Sequence, residues 1–296
     1  MNFIHQINHP GKELEINYKR RKQRVGDYIF YDNSYSRGLR RWNKSPNPHY
    51  RKFMVHPGRY VTKPDAKIEV EALLNFWGEY EGTSEFELMQ ENEKETYWNN
   101  PTAIHSPLFS EGEEGNQNTD PNIFGNRFYY AICKKGELNT ITPGDIVLFG
   151  SEFGSKSNVA FYLDTLMVIK DEINVNGSEF DKEYKELTLN RLIDSDTGNS
   201  LTDNVHTGVT FTDRKSAEGC FSFVPCREAG SYPYGFGRPV INNTTITKYL
   251  RKPGAYTGYK STPVGSKEEV CELWHLIANE VLKQGFYLGT GFEGVK

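Results

Sequence analysis

The stretch ITPGDIVLFGSEFGSKSNVAFYLDTLMVI, residues 141–169, limits what this chain can fold into more than any other. Pro143-Gly144 supplies a turn, residues 145–149 form a short apolar run, and residues 159–169 form a longer one rich in aromatic and branched side chains. The Gly and Ser residues between the two runs read as the connection of an antiparallel hairpin. Strict alternation along the second strand puts Phe161, Leu163, Thr165, Met167 and Ile169 on one face and Tyr162, Asp164, Leu166 and Val168 on the other. Asp164 then shares a largely apolar face, where an unpaired carboxylate is costly, so it requires a partner. Two readings follow: a structural anchor bonded to an arginine or a loop N–H, or a general base or ligand-binding acid with a raised pKa.

Similar runs at 27–31, 73–80, 127–133, 220–224 and 238–241 read as further strands, separated by loops rich in Asn, Asp, Gly and Pro. One helix is clearly written near the end, in SKEEVCELWHLIANEVLKQG. Ser266 with Glu269 three residues on is a capping box, Gly285 is the stop, and Val270, Leu273, Ile277 and Val281 form the apolar stripe. His275 within it reads as a packing histidine. A shorter helix is expected through residues 179–187. The pattern predicts an α+β fold, a mainly antiparallel sheet or partly closed barrel with the C-terminal amphipathic helix packed on it. Residues 61–296 read as a single domain, with 1–60 as a basic, aromatic segment belonging to it.

The net charge of −4 conceals an asymmetry. Residues 1–60 carry 13 Lys and Arg against 4 Asp and Glu, a surplus of +9, and residues 65–115 carry 2 against 13, a surplus of −11. Either the two segments neutralise each other or are simply solvated, or the first one faces phosphate. In the second reading Arg20, Arg21, Arg24, Arg37, Arg40 and Arg41 meet a nucleic-acid backbone while the interleaved Tyr18, Tyr28, Tyr31, Tyr35 and Trp42 stack on bases.

Other residue types point to a polar pocket. The loop that ends in Asn118-Thr119-Asp120-Pro121 reads as an Asx turn closed by proline, or as an amide and a carboxylate presented together at a sheet edge. His56 precedes Pro57-Gly58 at an expected turn. Glu79 and Glu81 share a strand face with Trp77, either as exposed edge acids or as a pair that holds a metal or shares a proton. Arg227 and Arg238 each follow an aromatic segment and suit bidentate binding of phosphate or carboxylate. The candidate catalytic groups are therefore Asp164, His56 and Asp120, and the candidate ligand-binding groups Asn118, Thr119, Trp77, Glu79, Arg227 and Arg238.

No Walker loop, dinucleotide fingerprint, His-Glu-x-x-His or Gly-x-Ser-x-Gly pattern occurs, which disfavours the corresponding ATPase, dehydrogenase, zincin and hydrolase classes. Cys133, Cys220, Cys226 and Cys271 form no metal-type pair, and Cys220 and Cys226 would stand about 20 Å apart in an extended strand, so reduced thiols are expected and no metal site is named. The sequence identifies no cofactor. No apolar run approaches the roughly 20 residues of a membrane helix and the N-terminus lacks the apolar core of a signal peptide, so a cytoplasmic protein without a membrane partner is expected.

Taken together, NTDPNIFGNRFYYAIC, ITPGDIVLFGS, FYLDTLMVI, GCFSFVPCR and GRPVI, within residues 55–241, resemble the bacterial nucleotide-modification-associated domain proteins found beside DNA-modification genes. PGDIVLF leading into a second strand is similar to the PUA-like folds, the ASCH and EVE modules, in which such a turn precedes a barrel strand beside a pocket for a modified base or nucleotide. The resemblances imply a partner that is a nucleic acid or nucleotide, in a DNA-modification or phage-defence setting, and supply no catalytic motif. Two other classes stay open: an enzyme on a small free metabolite such as a nucleotide or nucleotide sugar, with an Asp164/His56 acid–base pair, and a non-catalytic interaction protein.

Overall fold

The computed structural model describes residues 1–8, 22–25, 28–31, 40–41, 51–80, 84–88, 103–109, 120–125, 127–131, 141–174, 192–193, 204–230, 237–253 and 259–294, with backbone alone for 22–25, 28–31, 40–41 and 192–193. In chain order the strands are β1 (Asn2–Asn8), β2 (Lys22–Val25), β3 (Tyr28–Tyr31), β4 (Arg40–Arg41), β5 (Arg51–Val61), β6 (Val70–Glu79), β7 (Ser84–Leu88) and β8 (Ala103–Pro107). They continue as β9 (Tyr129–Tyr130), β10 (Ile146–Ser155), β11 (Asn158–Asn174), β12 (Leu192–Ile193), β13 (Asn204–Gly208), β14 (Val224–Glu228), β15 (Val240–Ile241), β16 (Tyr259–Gly265) and β17 (Tyr287–Phe292). Two α-helices are described, the one-turn α1 (Thr244–Thr247) and the long α2 (Lys267–Lys283).

One sheet runs β16-β1-β10-β11-β13-β9, with β15 on the far end of β11; β1 and β10 are parallel and the other pairs antiparallel. A second runs β17-β14-β6-β5-β8-β7-β3-β2, and β17 also pairs with β5, so that β5, β6, β14 and β17 close a four-stranded barrel. The fold is α+β, with mixed, mostly antiparallel sheets. Alternate residues of β10 explain how the layers meet. Ile146 and Leu148 join the core that holds Val270, Leu273, Trp274 and Ile277 of α2, whereas Val147 and Phe149 join the core with Met54, Leu74 and Phe76 of the barrel. The first sheet is thus apolar on both faces, with α2 against one and the barrel against the other.

The hairpin predicted at 141–169 forms, with two differences. Its connection is only the Lys156-Ser157 turn, because β10 continues through the Gly/Ser stretch to pair Ser155 with Asn158. Alternation in β11 is also broken: Phe149 pairs with Thr165 but Gly150 pairs with Leu163, leaving Asp164 as the extra residue of a β-bulge. The bulge reverses the parity of the strand, so Leu163 and Leu166 enter the same core, contrary to the simple two-face reading. Gly150 permits the close approach, since a Cβ there would lie 1.9 Å from the Tyr162 carbonyl oxygen.

α2 begins at the Ser266 capping box and ends beside Gly285 at φ 78°, as the sequence predicts. His275, in contrast, lies exposed on its outer face, edge-on to Trp274. The main strand absent from the sequence reading is β5: His56-Pro57-Gly58 lies inside an 11-residue strand and is not a turn. Gly58 is there for proximity, a Cβ at that position falling 2.7 Å from the Gly291 carbonyl oxygen across the closing barrel seam. The segment 220–224 is a strand only at its end: Phe223 bridges Leu166 of the first sheet and Val224 starts β14 in the barrel. The helix expected at 179–187 lies outside the described residues.

Candidate functional site

Three of the predicted acids converge. Glu79 at the end of β6, Asp120 in the loop before β9 and Asp164 at the β11 bulge line one cavity between barrel and sheet, together with Arg51, Tyr80, Phe76, Phe124 and Phe149. Its interior volume of about 10 Å³ has room for about one water molecule.

Asp164 is not poised as a base. Arg238 Nε donates to Oδ1 at 2.7 Å and Nη2 to Oδ2 at 2.9 Å, and Arg51 Nε stands 2.8 Å from Oδ2. Arg51 Nη2 also donates to the Gly150 carbonyl at 2.8 Å, and both guanidiniums reach the Ser151 hydroxyl. Arg51, Asp164 and Arg238 are almost wholly buried. Burial, and then repulsion from Arg51, pull the Arg238 pKa down to about 10 against the attraction of Asp164, so the guanidinium is still charged at neutral pH. Of the two readings of Asp164, the arginine-bound anchor is the one the geometry supports. Arg238 accordingly clasps a carboxylate of the protein itself, and its segment joins the sheet where β15 pairs with β11.

The other predicted groups are dispersed. His56 is not among the residues lining this cavity; its Nε2 lies 2.9 Å from the Glu293 carbonyl and its ring is edge-on to Phe109 and Phe124, so the Asp164/His56 acid–base pair does not form. Glu79 is buried inside the barrel sheet, cross-strand from Arg51 and 3.9 Å from its Nη1, not an exposed edge acid. Trp77 packs edge-on against Phe53 in a separate small cluster. Arg227 donates to the carbonyls of Gln284 and Gly285 at 3.1 Å each and covers the Phe286 ring, which makes it a cap on the C-terminal end of α2. Beyond Asp120-Pro121, Asn122 makes an Asx turn, its Oδ1 accepting from the Phe124 N–H. Asn118, Thr119, Glu81, Arg20, Arg21 and Arg37 lie outside the described residues, as do the side chains of Arg24, Arg40 and Arg41.

A second hydrogen-bonded chain holds β1 in place. His5 Nε2 is 3.1 Å from Asp145 Oδ2 and His5 Nδ1 2.8 Å from Ser261 Oγ. These are the residue types of a nucleophilic triad, but Asp145 also accepts from the N–H groups of Phe3 and Thr142 at 2.8 Å and from Asn2, all in the Pro143-Gly144 turn and the strand beside it. Burial pushes the Asp145 pKa up, and the bonds from His5, Thr142 and Phe3 outweigh it and hold the carboxyl below its ordinary value. Neither the cavity above nor the cleft below reaches Ser261.

The cleft lies where the β10–β11 turn, α1 and β16 meet, and has a volume of about 700 Å³. Lys156, Lys248, Arg251, Lys252 and Lys260 line it, with hydroxyls and amides from Ser157, Asn158, Asn242, Thr244 and Thr247. Arg251 is its fixed element. The side chain is 8% exposed, its backbone N–H donates to Gln6 Oε1 and its Nε is paired with Glu152. Nη1 has no hydrogen-bond partner among the described residues. Lys260 is held by the Leu250 carbonyl at 2.9 Å, and burial, followed by the charge of Lys252, lowers its pKa. Sequence reasoning missed this site although its signal was present, three cations in TKYLRK and a fourth in GYK, because the denser basic run near the N-terminus attracted the phosphate reading.

Among the described residues no three His, Cys, Asp or Glu side chains stand together in a way that could hold a metal ion, and no helix is long and apolar enough to cross a membrane. No protein-family model, curated protein or solved structure matches the chain.

Proposed function

We propose that this protein binds the phosphate groups of a nucleotide or nucleic acid, and that the Lys156/Lys248/Arg251/Lys252/Lys260 cleft is where it does so. The observation that carries the reading is the lining of the cleft: Arg251, a buried guanidinium whose Nη1 has no hydrogen-bond partner among the described residues, stands in one wall together with four lysines. Cations gathered in one cleft repel one another, and a bound anion relieves that repulsion through charge-assisted hydrogen bonds. The reading keeps the ligand class that the resemblance to nucleotide-modification-associated and PUA-like proteins implies, and moves the contact from the N-terminal arginines to the other end of the sequence. The acid–base enzyme is less well supported, because Asp164 is bound by two arginines and the cavity beside it has room for about one water.

The test is fluorescence anisotropy with a labelled nucleoside triphosphate and a labelled single-stranded oligonucleotide, each at two salt concentrations. Binding of at least one probe should weaken as salt rises, because fixed cations in the protein displace counterions. Lys248→Ala/Lys252→Ala, at two exposed positions, should weaken it about tenfold or more, about 1.4 kcal/mol or above. Unchanged affinity in that variant would remove the cleft from the binding reaction.

A further inference from the structure

The density of cations in the cleft bears on which phosphates it suits. Five cationic side chains line a space of about 700 Å³, within the size range of sites for small ligands. A nucleic-acid strand offers one charge per phosphodiester, spaced at about 3.4 Å or more along the helix axis, so matching five cations takes a path of about 14 Å along the strand. A di- or triphosphate places two to four charges within a few ångströms.

The arrangement of the cations agrees with this. Lys252 and Lys260 are close enough that the charge of one disfavours the charge of the other, and Arg251 is fixed by Glu152 and by its backbone bond to Gln6, so it does not move to meet a ligand. A compact dianion bound among these cations relieves that repulsion at a single point. The hydroxyls of Ser157, Thr244 and Thr247 and the amides of Asn158 and Asn242 provide neutral donors and acceptors around the charged centre for further phosphate oxygens or a sugar.

We infer, building on the phosphate-binding reading above, that the occupant of the cleft is a small free molecule carrying two or more adjacent phosphates, of the nucleoside di- or triphosphate class, gripped through those phosphates and not through a strand interior. The experiment is isothermal titration of the full chain without added divalent metal, using ATP, CTP, inorganic tripolyphosphate, AMP and a short oligonucleotide with hydroxyl ends. ATP, CTP and tripolyphosphate should bind within about threefold of one another. AMP should bind at least tenfold more weakly, and Lys248→Ala/Lys252→Ala should lower the affinity for all three polyphosphates at least tenfold with an unchanged thermal midpoint.

If the hydroxyl-ended oligonucleotide binds more tightly than ATP and loses that affinity in the double variant, the inference falls while the phosphate-binding reading stands. If ATP binds more than tenfold tighter than both tripolyphosphate and CTP, grip through the phosphates falls in favour of recognition of the base. If no probe binds at low salt, both readings fall together.

Discussion

At the scale of single residues, the buried carboxylates of Asp145 and Asp164 tie distant parts of the chain together. Asp145 is the clearest case, since its carboxylate gathers a histidine, two backbone N–H groups and an asparagine around the turn where β10 starts. Its pKa in the fold lies below the ordinary 3.8. A carboxyl with a depressed folded value contributes stability that is fully present above the unfolded pKa and is lost as pH falls through the folded one. Urea unfolding should therefore show Asp145→Asn less stable than the parent by about 2 kcal/mol at neutral pH. The gap should stay constant down to about pH 5 and narrow below the unfolded value; a gap independent of pH down to pH 3 would mean that the charge of Asp145 is not what the turn uses. That Asp164 needed a partner was legible from one strand, because a carboxylate among apolar residues is locally anomalous. Its partners were not, because Arg238 is 74 residues away and Arg51 belongs to the other sheet, and no local period encodes such contacts.

Among the elements, those governed by local rules were readable and those governed by neighbours were not. The α2 helix carries its own start, stripe and stop in Ser266, Val270, Leu273 and Gly285, each acting within a few residues. Strand β5 has no such autonomy. Pro57-Gly58 is turn chemistry by sequence, and it is overridden because β6 flanks β5 on one side while β8 and β17 share the other. The β11 bulge belongs with β5: nothing in VAFYLDTLMVI marks Asp164 as the extra residue, and the cause is in the partner strand, at Gly150. Gly150→Ala should therefore act as a register mutation. The added Cβ would meet a backbone carbonyl oxygen at 1.9 Å, which no rotamer can relieve, so β10 must separate from β11 or shift. A loss of at least about 2 kcal/mol in chemical denaturation is expected, with faster amide exchange in residues 149–152 and 161–165. Parent-like stability would show that the bulge closes some other way.

For the molecule as a whole, the charges of the described residues serve in two ways, in pairs across neighbouring strands and as a group lining a surface cleft. Where the basic and acidic segments are described, in β5 and β6, Arg51 faces the buried Glu79 and Arg59 faces the exposed Glu71. The surface cations that converge on a cleft come from later in the chain, at the β10–β11 turn, α1 and β16. The buried charges Arg51, Glu79 and Asp164 join the two sheets. Arg51 comes from the barrel and Asp164 from the other sheet, and the core that contains Met54, Phe76, Val147 and Phe149 spans the same boundary. The two sheets should therefore unfold as one unit, with the ion cluster as a polar rivet in an apolar seam. Removing the charge of Asp164 leaves two buried guanidiniums facing each other, a change that costs about 3–5 kcal/mol when a buried pair loses one member. Native-state hydrogen exchange on Asp164→Asn locates that loss. If the cluster joins the sheets, the opening free energies of β5 and β6 should fall together with those of β10 and β11, by similar amounts. If only β10 and β11 loosen while the barrel keeps its protection, the halves are held by their apolar contacts alone and the cluster is local to the bulge. The same measurement guards any activity assay on that variant, since lost turnover in Asp164→Asn would report on the seam before it reported on chemistry.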